Sequence, residues 1–391
     1  MNLSIYLTPV NLNELKHERW GNYSLGKSVS FYQGEEDGEV HLRDYNIAIV
    51  GICEERNAVN NDGCGSAPNS VRNYLYQLSA ISGINKILDL GNVLPGETVE
   101  DTYFAVQQVI AELGKSQVAV IVLGGSQDLT FPIYQAYEKL EQMVNVVSID
   151  PMFDIGDMQA PLDARNYLSK IILHQPNYLF NFSNIGFQSY FINAEELALM
   201  QRLNFDVYRL GWTKSNMEEV EAVVRNADIL SFDMSAVKFS DAPGNSNVLP
   251  NGFFGDEACR ISRYAGISDK LSCFGVFELN PDKDKAGISA ALASQMVWYF
   301  LDGVAGRKSD YPVSSTENYL KYNVTFEDND HLVVFYKSDK SDRWWMEVPF
   351  PNEHKSKYVR HHLVPCSYKD YQTACKGDIP DRWWQTYNKL H

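Results

Sequence analysis

Short apolar runs alternate with amphipathic stretches from about residue 46 to residue 305, and this alternation constrains the chain more than any other feature. The β-rich runs fall at 46–52, 86–90, 118–123, 144–149, 183–187, 206–210, 229–232 and 273–279. Several are continuously apolar, as strands covered on both faces must be. Between them a helical period recurs at 70–82, 99–113, 132–143, 194–203, 217–225, 257–265 and 288–304. A strand that passes into a helix returns to a parallel neighbour by a right-handed crossover. The pattern therefore predicts an eight-stranded, mainly parallel sheet between two helical layers, a three-layer α/β/α fold.

From about Ser309 the character changes. Strand-like runs at 322–326, 331–336 and 344–348 are joined by polar turns such as Asp328-Asn329-Asp330. An Asp-Arg-Trp-Trp tetrapeptide occurs at 342–345 and again at 381–384; two copies fall short of a repeat architecture. The expected division is a main domain at 1–308 and a Trp-rich, β-rich extension at 309–391 packed on it. The Trp pairs are expected to serve as core or as a docking surface, with carbohydrate or protein-partner binding as the alternative.

A formal net charge of −16 argues against nucleic acid, which needs a basic patch, and against anionic lipid. The start, Met1-Asn2-Leu3-Ser4, has neither a basic n-region nor an apolar h-region, and no apolar stretch is long enough to span a bilayer. The six cysteines, at 53, 64, 259, 273, 366 and 375, are scattered without a C-x-x-C pair, which suits free thiols. A cytoplasmic protein without membrane insertion is expected.

In open parallel sheets, ligands bind beyond the carboxyl ends of the strands. Four such junctions are polar: Gly124-Gly125-Ser126-Gln127-Asp128, Asp150-Pro151-Met152-Phe153-Asp154, Asp233-Met234-Ser235 and Glu278-Leu279-Asn280-Pro281. Extended backbone would turn Asp150, Met152 and Asp154 to one side. Carboxylates gathered at neighbouring strand ends repel one another unless a cation neutralises them, so a metal ion or a basic side chain is implied.

These junctions resemble the motifs of the ureohydrolase superfamily (arginase, agmatinase, formimidoylglutamase) over roughly residues 46–305. Gly124–Asp128 stands where that family has Gly-Gly-Asp-His-Ser, and Asp150–Asp154 where it has Asp-Ala-His-x-Asp. Ser231-Phe232-Asp233-Met234-Ser235, followed by Ala242-Pro243-Gly244, keeps the frame of Ser-x-Asp-x-Asp and Ala-Pro-Gly. Glu278-Leu279-Asn280-Pro281 resembles a late Glu-x-Asn-Pro, with Glu278 as the family-equivalent catalytic carboxylate. The wording at Asn92–Thr98 and Asn184–Gln188 leans toward formimidoylglutamase.

The resemblance implies an arginase-like fold. It also implies two Mn2+ ions held by two His and four Asp, with a bridging water that attacks a guanidinium or amidine carbon. The six positions carry Gln127, Asp150, Met152, Asp154, Asp233 and Ser235 in this chain. Both histidines are gone and one aspartate is serine. His174, the one histidine inside the matching region, lies in an apolar context and reads as structural. Gln127, Asp150, Asp154 and Asp233 could hold one weakly bound hard cation (Mn, Mg or Ca), so no tightly bound cofactor is expected. The second ion would meet the Met152 thioether and Ser235, a poor set for it. Lys238 stands where the family often has an acid; its ammonium could reach the cluster as a counter-charge, or it is a solvated loop lysine. Arg165 falls near the place of a proton-shuttling His.

The leading expectation is a degenerate ureohydrolase without two-manganese catalysis, serving binding, scaffolding or regulation. The alternative is an active hydrolase of linear amidines using one metal or rewired ligands, and a third reading is a sensor of a small cationic ligand. The family resemblance also allows a homo-oligomer.

Overall fold

The structure, a computed structural model, describes residues 3–34, 40–84, 86–312, 316–326, 332–351 and 358–391. The turn expected at Asp328-Asn329-Asp330 and the strand start at His331 lie outside them. Nine strands form the main sheet: β1 (Val29–Phe31), β2 (Ile47–Ile52), β3 (Ile87–Val93), β4 (Ala119–Leu123), β5 (Val144–Ile149), β6 (Leu179–Phe187), β7 (Asp206–Arg209), β8 (Ile229–Asp233) and β9 (Cys273–Phe277). Their spatial order is β1-β3-β2-β4-β9-β8-β5-β6-β7, and every pairing is parallel. The eight expected strands are all present. The ninth, β1, extends the edge beside β3 and gave no signal, because three residues are too few to show a period.

Nine helices come from the same stretch of chain: α1 (Ala67–Leu75), α2 (Val99–Lys115), α3 (Thr130–Glu138), α4 (Tyr167–Leu173), α5 (Ala194–Arg202), α6 (Leu210–Ser215), α7 (Met217–Arg225), α8 (Gly255–Gly266) and α9 (Ile288–Ala305). Side-chain alternation along the strands separates two cores. Ile47, Ile49, Ile121 and Leu123 face the layer of α1, α7, α8 and α9, whereas Ala48, Val50, Val120 and Val122 face α2 to α5. This is the three-layer architecture the alternation predicts. The helix α2 opens on a capping box, in which Thr98 accepts from the Asp101 backbone and Asp101 returns the bond.

A second, antiparallel sheet follows in the order β10 (Tyr319–Thr325), β11 (Leu332–Ser338), β12 (Trp344–Glu347) and β13 (Leu363–Cys366), with α10 (Tyr368–Cys375) and α11 (Asp381–Leu390) completing it. Phe180 of β6 joins its core, among Phe335, Trp344, Met346 and Trp383. Charge also fastens it to the main sheet. Arg225 of α7 donates to the carbonyls of Trp344 and Cys366, at 3.2 Å each, and stacks on the Trp345 ring. Arg360 meets the buried Asp228 at 2.7 Å, and Arg382 meets Glu219 at 2.8 Å. Three of the four tryptophans of the two tetrapeptides are thus buried, while Trp384 is half exposed. Among the described residues no helix is long and apolar enough to cross a membrane, and all six cysteines are free thiols.

Candidate active site

The four polar junctions close β4, β9, β8 and β5, which are consecutive neighbours in the sheet. Topology thus brings Gln127, Glu278, Asp233 and Asp150 to one edge, although up to 151 residues separate two of them in the chain. The turn after β4 needs its glycines. A Cβ on Gly125 would lie 1.8 Å from the Glu54 carbonyl oxygen, so only glycine lets the two loops pass this closely.

Glu278 is the best anchored of the acids. Its Oε1 accepts from the Gln127 backbone N–H at 2.8 Å and its Oε2 from Asn61 Nδ2 at 2.7 Å. The residue holds φ at 64°, a left-handed conformation that a non-glycine residue adopts at a cost, and such strain collects at functional sites. Burial and the neighbouring Asp233 charge push its pKa up to about 8. Asn280 supports the arrangement by donating to the Asp62 carbonyl at 2.7 Å and to Asn61 at 3.2 Å.

Asp150 is buried, with Oδ1 accepting from the Met152 N–H at 2.7 Å. Its Oδ2 meets no N–H or hydroxyl donor. The charges that act on it are those of Asp154 and Asp233. Burial and the charges of Asp154 and Asp233 hold the Asp150 carboxyl well above the usual range. Burial also raises Asp154, to about 7, against the bond from Asp150 and the field of Arg165. The segment is not extended as expected: Asp154 has φ at 49°, so the turn rather than strand alternation places its carboxyl beside Asp150.

The remaining positions are bound to protein groups. Asp233 spends both oxygens on Ser235, accepting from its N–H at 2.6 Å and its hydroxyl at 2.7 Å. Gln127 is 1% exposed, and its Nε2 stands 3.3 Å from each of the Ser148, Tyr167 and Ser231 hydroxyls. Met152 places its sulfur 2.6 Å from Arg165 Nη1. His174 lies away from the edge, paired with Glu138 and packed edge-on against Phe131 and Tyr134.

Of the two readings of Lys238, the counter-charge does not hold. Lys238 continues from the β8 exit into bridges with Leu249 and, through Val237, Phe253. Its ammonium therefore ends 3.7 Å from Asp241 and over the Phe254 ring. Arg165 is the cation of the centre. Burial disfavours its charge, but the fields of Asp154, Asp233, Asp150 and Glu278 outweigh that and raise its pKa. Sequence reasoning placed Arg165 nearby without giving it this part. It gave no part to Asn61, which sits in the loop before α1 where only its position in a Gly-rich motif marks it.

The centre can thus gather carboxyls, protons and one guanidinium. The two-ion set implied by the resemblance does not fit these side chains. One ion would face a thioether already in contact with a guanidinium, together with a serine whose hydroxyl is turned onto Asp233. Among the described residues no group of three or more His, Cys, Asp or Glu is arranged to hold a metal ion. A hard cation seeks six or more oxygens, and the open Asp150 Oδ2 is a small part of that.

The family profile described as the Arginase family matches residues 45–302, ending before β10 begins. Formimidoylglutamase of Staphylococcus haemolyticus is 21% identical over 277 residues, covering 65% of this chain and 85% of that protein. The Staphylococcus aureus enzyme of that name is 22% identical over 267 residues, with the same coverage. Among solved structures, Trypanosoma cruzi formiminoglutamase with Mn2+ superposes with a TM-score of 0.65 at 20% identity, over 73% of this chain and 100% of that one. Formimidoylglutamase of Bacillus subtilis does so with 0.64 at 15% identity, over 73% and 93%. With about two thirds of its length matched by the family profile, and with the sheet order and edge residues described above, the chain belongs to the arginase (ureohydrolase) family.

Proposed function

We propose that this chain is a degenerate ureohydrolase, without two-manganese catalysis, that serves a binding, scaffolding or regulatory role. The observation that carries this reading is the contact between Met152 and Arg165. A fixed guanidinium beside the position of a lost histidine ligand repels a divalent cation and offsets carboxylate charge in its place. Ser235 supports the reading, because its hydroxyl closes Asp233 into a local turn instead of extending the ligand set. Two-metal hydrolysis depends on both ions activating one bridging hydroxide, so loss of either position removes the nucleophile.

A second reading, an amidine hydrolase with one metal or rewired ligands, is favoured by Glu278. That carboxyl is fully anchored, strained in φ and raised toward neutrality, as general acids and bases are. One assay separates the two: ammonia, urea or formamide release from formiminoglutamate, arginine and agmatine, with and without manganese. The degenerate reading expects no turnover above buffer. A kcat of about 1 per second or more on any of the three would establish the hydrolase instead.

A further inference from the structure

A cavity of about 500 Å³ opens beyond the carboxyl ends of β6 and β7, beside the aspartate centre but lined by different side chains. Three of the lining residues, Arg209, Lys214 and Lys238, are cationic and none is acidic, on a chain whose formal net charge is −16. Local sign thus opposes the sign of the whole molecule, which concentrates an attractive field for anions in one place.

The three cations differ in how far they are compensated. Lys214 meets Glu257 at 3.0 Å and Lys238 meets Asp241 at 3.7 Å, and both acids lie outside the cavity lining. The two ammonium groups share one ring: Lys214 Nζ is 3.8 Å and Lys238 Nζ 3.7 Å from the Phe254 centroid. Arg209, exposed at the end of β7, has no carboxylate within ion-pair distance among the described residues. Its guanidinium has its planar, two-donor fork free for an oxyanion. The polar wall is fixed rather than floppy. Gln188 is buried, donates to the Asn251 carbonyl at 3.2 Å and accepts from the Tyr190 hydroxyl. Tyr190 remains exposed and offers apolar surface to the body of a ligand.

We propose that this cavity binds a small organic oxyanion, a carboxylate or phosphate held by Arg209 and Lys238 with its carbon body over Tyr190. This goes beyond the preceding reading and holds whether or not the aspartate centre turns anything over. It is also opposite in charge to the guanidinium or amidine for which the carboxyls of that centre would be suited.

The test is titration calorimetry of the full chain at low salt with inorganic phosphate, with succinate and with the cation agmatine, for wild type, Arg209→Met and Lys238→Met. Heat from phosphate alone assigns a phosphate ligand, and heat from succinate alone a carboxylate. Either variant should weaken the binding about tenfold or more, and raising the salt should weaken it in the wild type. Circular dichroism and melting keep loss of fold apart from loss of binding. Arg209 is exposed and makes no ion pair, so its replacement leaves the packing intact. Absence of heat from both anions at about 10 mM, where a site of millimolar affinity is filled, would overturn the proposal. So would anion binding that both variants retain, or saturable binding of agmatine in this cavity.

Discussion

Replacing Arg165 by methionine should destabilise the protein in a strongly pH-dependent way. The guanidinium feels the fields of four carboxyls, and removing it takes a compensating positive charge away from them. Breaking one partner of a fully buried ion pair costs ~3–5 kcal/mol. Arg165 is only partly buried and these carboxyls can take up protons instead, so we expect a cost below that range, about 2 kcal/mol at pH 8.5. The sign follows from the protons. Asp154, raised to about 7, and Glu278, raised to about 8, bind protons more tightly in the folded chain than in the unfolded one, where ordinary carboxyls titrate near 4. They therefore favour the folded state at low pH, and that contribution is lost as pH rises through 7 and 8. At pH 5 Asp154 and Glu278 are protonated, and the loss on removing Arg165 should fall below ~0.5 kcal/mol. Urea denaturation of wild type and variant at pH 5, 7 and 8.5 gives the difference directly, provided the denaturant slope stays constant. A loss of equal size at all three pH values would refute the reasoning, since it would make Arg165 a packing residue. A variant more stable than wild type at pH 8.5 would refute it outright.

Rebuilding the ligand set with Gln127→His, Met152→His and Ser235→Asp should restore manganese binding before turnover, and more fully with Arg165→Ala added, as read from metal stoichiometry and amidine hydrolysis of each variant. Each change alone should do little. His361 is buried against Phe180, with ring centroids 4.1 Å apart, and burial followed by the Lys270 and Arg360 charges holds it well below its ordinary range. The unfolded chain therefore takes up that proton first, so stability present above pH ~6.5 should decline as pH falls below it. His361→Phe should flatten this limb in thermal melts. Gly125→Ala should lower stability by about 3 kcal/mol or prevent folding, because its Cβ meets the Glu54 carbonyl oxygen at 1.8 Å. Gly211→Ala, with nothing within 4 Å and a helical setting in α6, should instead stabilise by about 0.5–1 kcal/mol in the same melts.

Seven of the nine strands are inner, and they were legible because strands covered on both faces must be continuously apolar, as runs such as Ile47–Ile52 and Ala119–Leu123 are. Edge strand β1 and the short helices α4 and α6 were not, since three to seven residues hold too little of a period. The four polar junctions could be named from the sequence, but only sheet order places them side by side. Where the local backbone departs from a regular element, spacing misled. Left-handed Asp154, rather than alternation, sets its carboxyl beside Asp150. Lys238 lies three residues beyond Ser235, yet its bridge to Leu249 carries its ammonium to Phe254, while Arg165, on the loop before α4, folds back onto Met152. Long-range return of a loop side chain leaves no periodic trace in a single sequence.

The most direct measurement is the manganese content of the purified chain, by elemental analysis after loading with excess Mn2+ and desalting. Arg165 at Met152, and Asp233 closed by Ser235, predict well below one ion per chain retained, with any residual binding weak and displaced by Mg2+. Retention of about two manganese ions per chain would contradict the account.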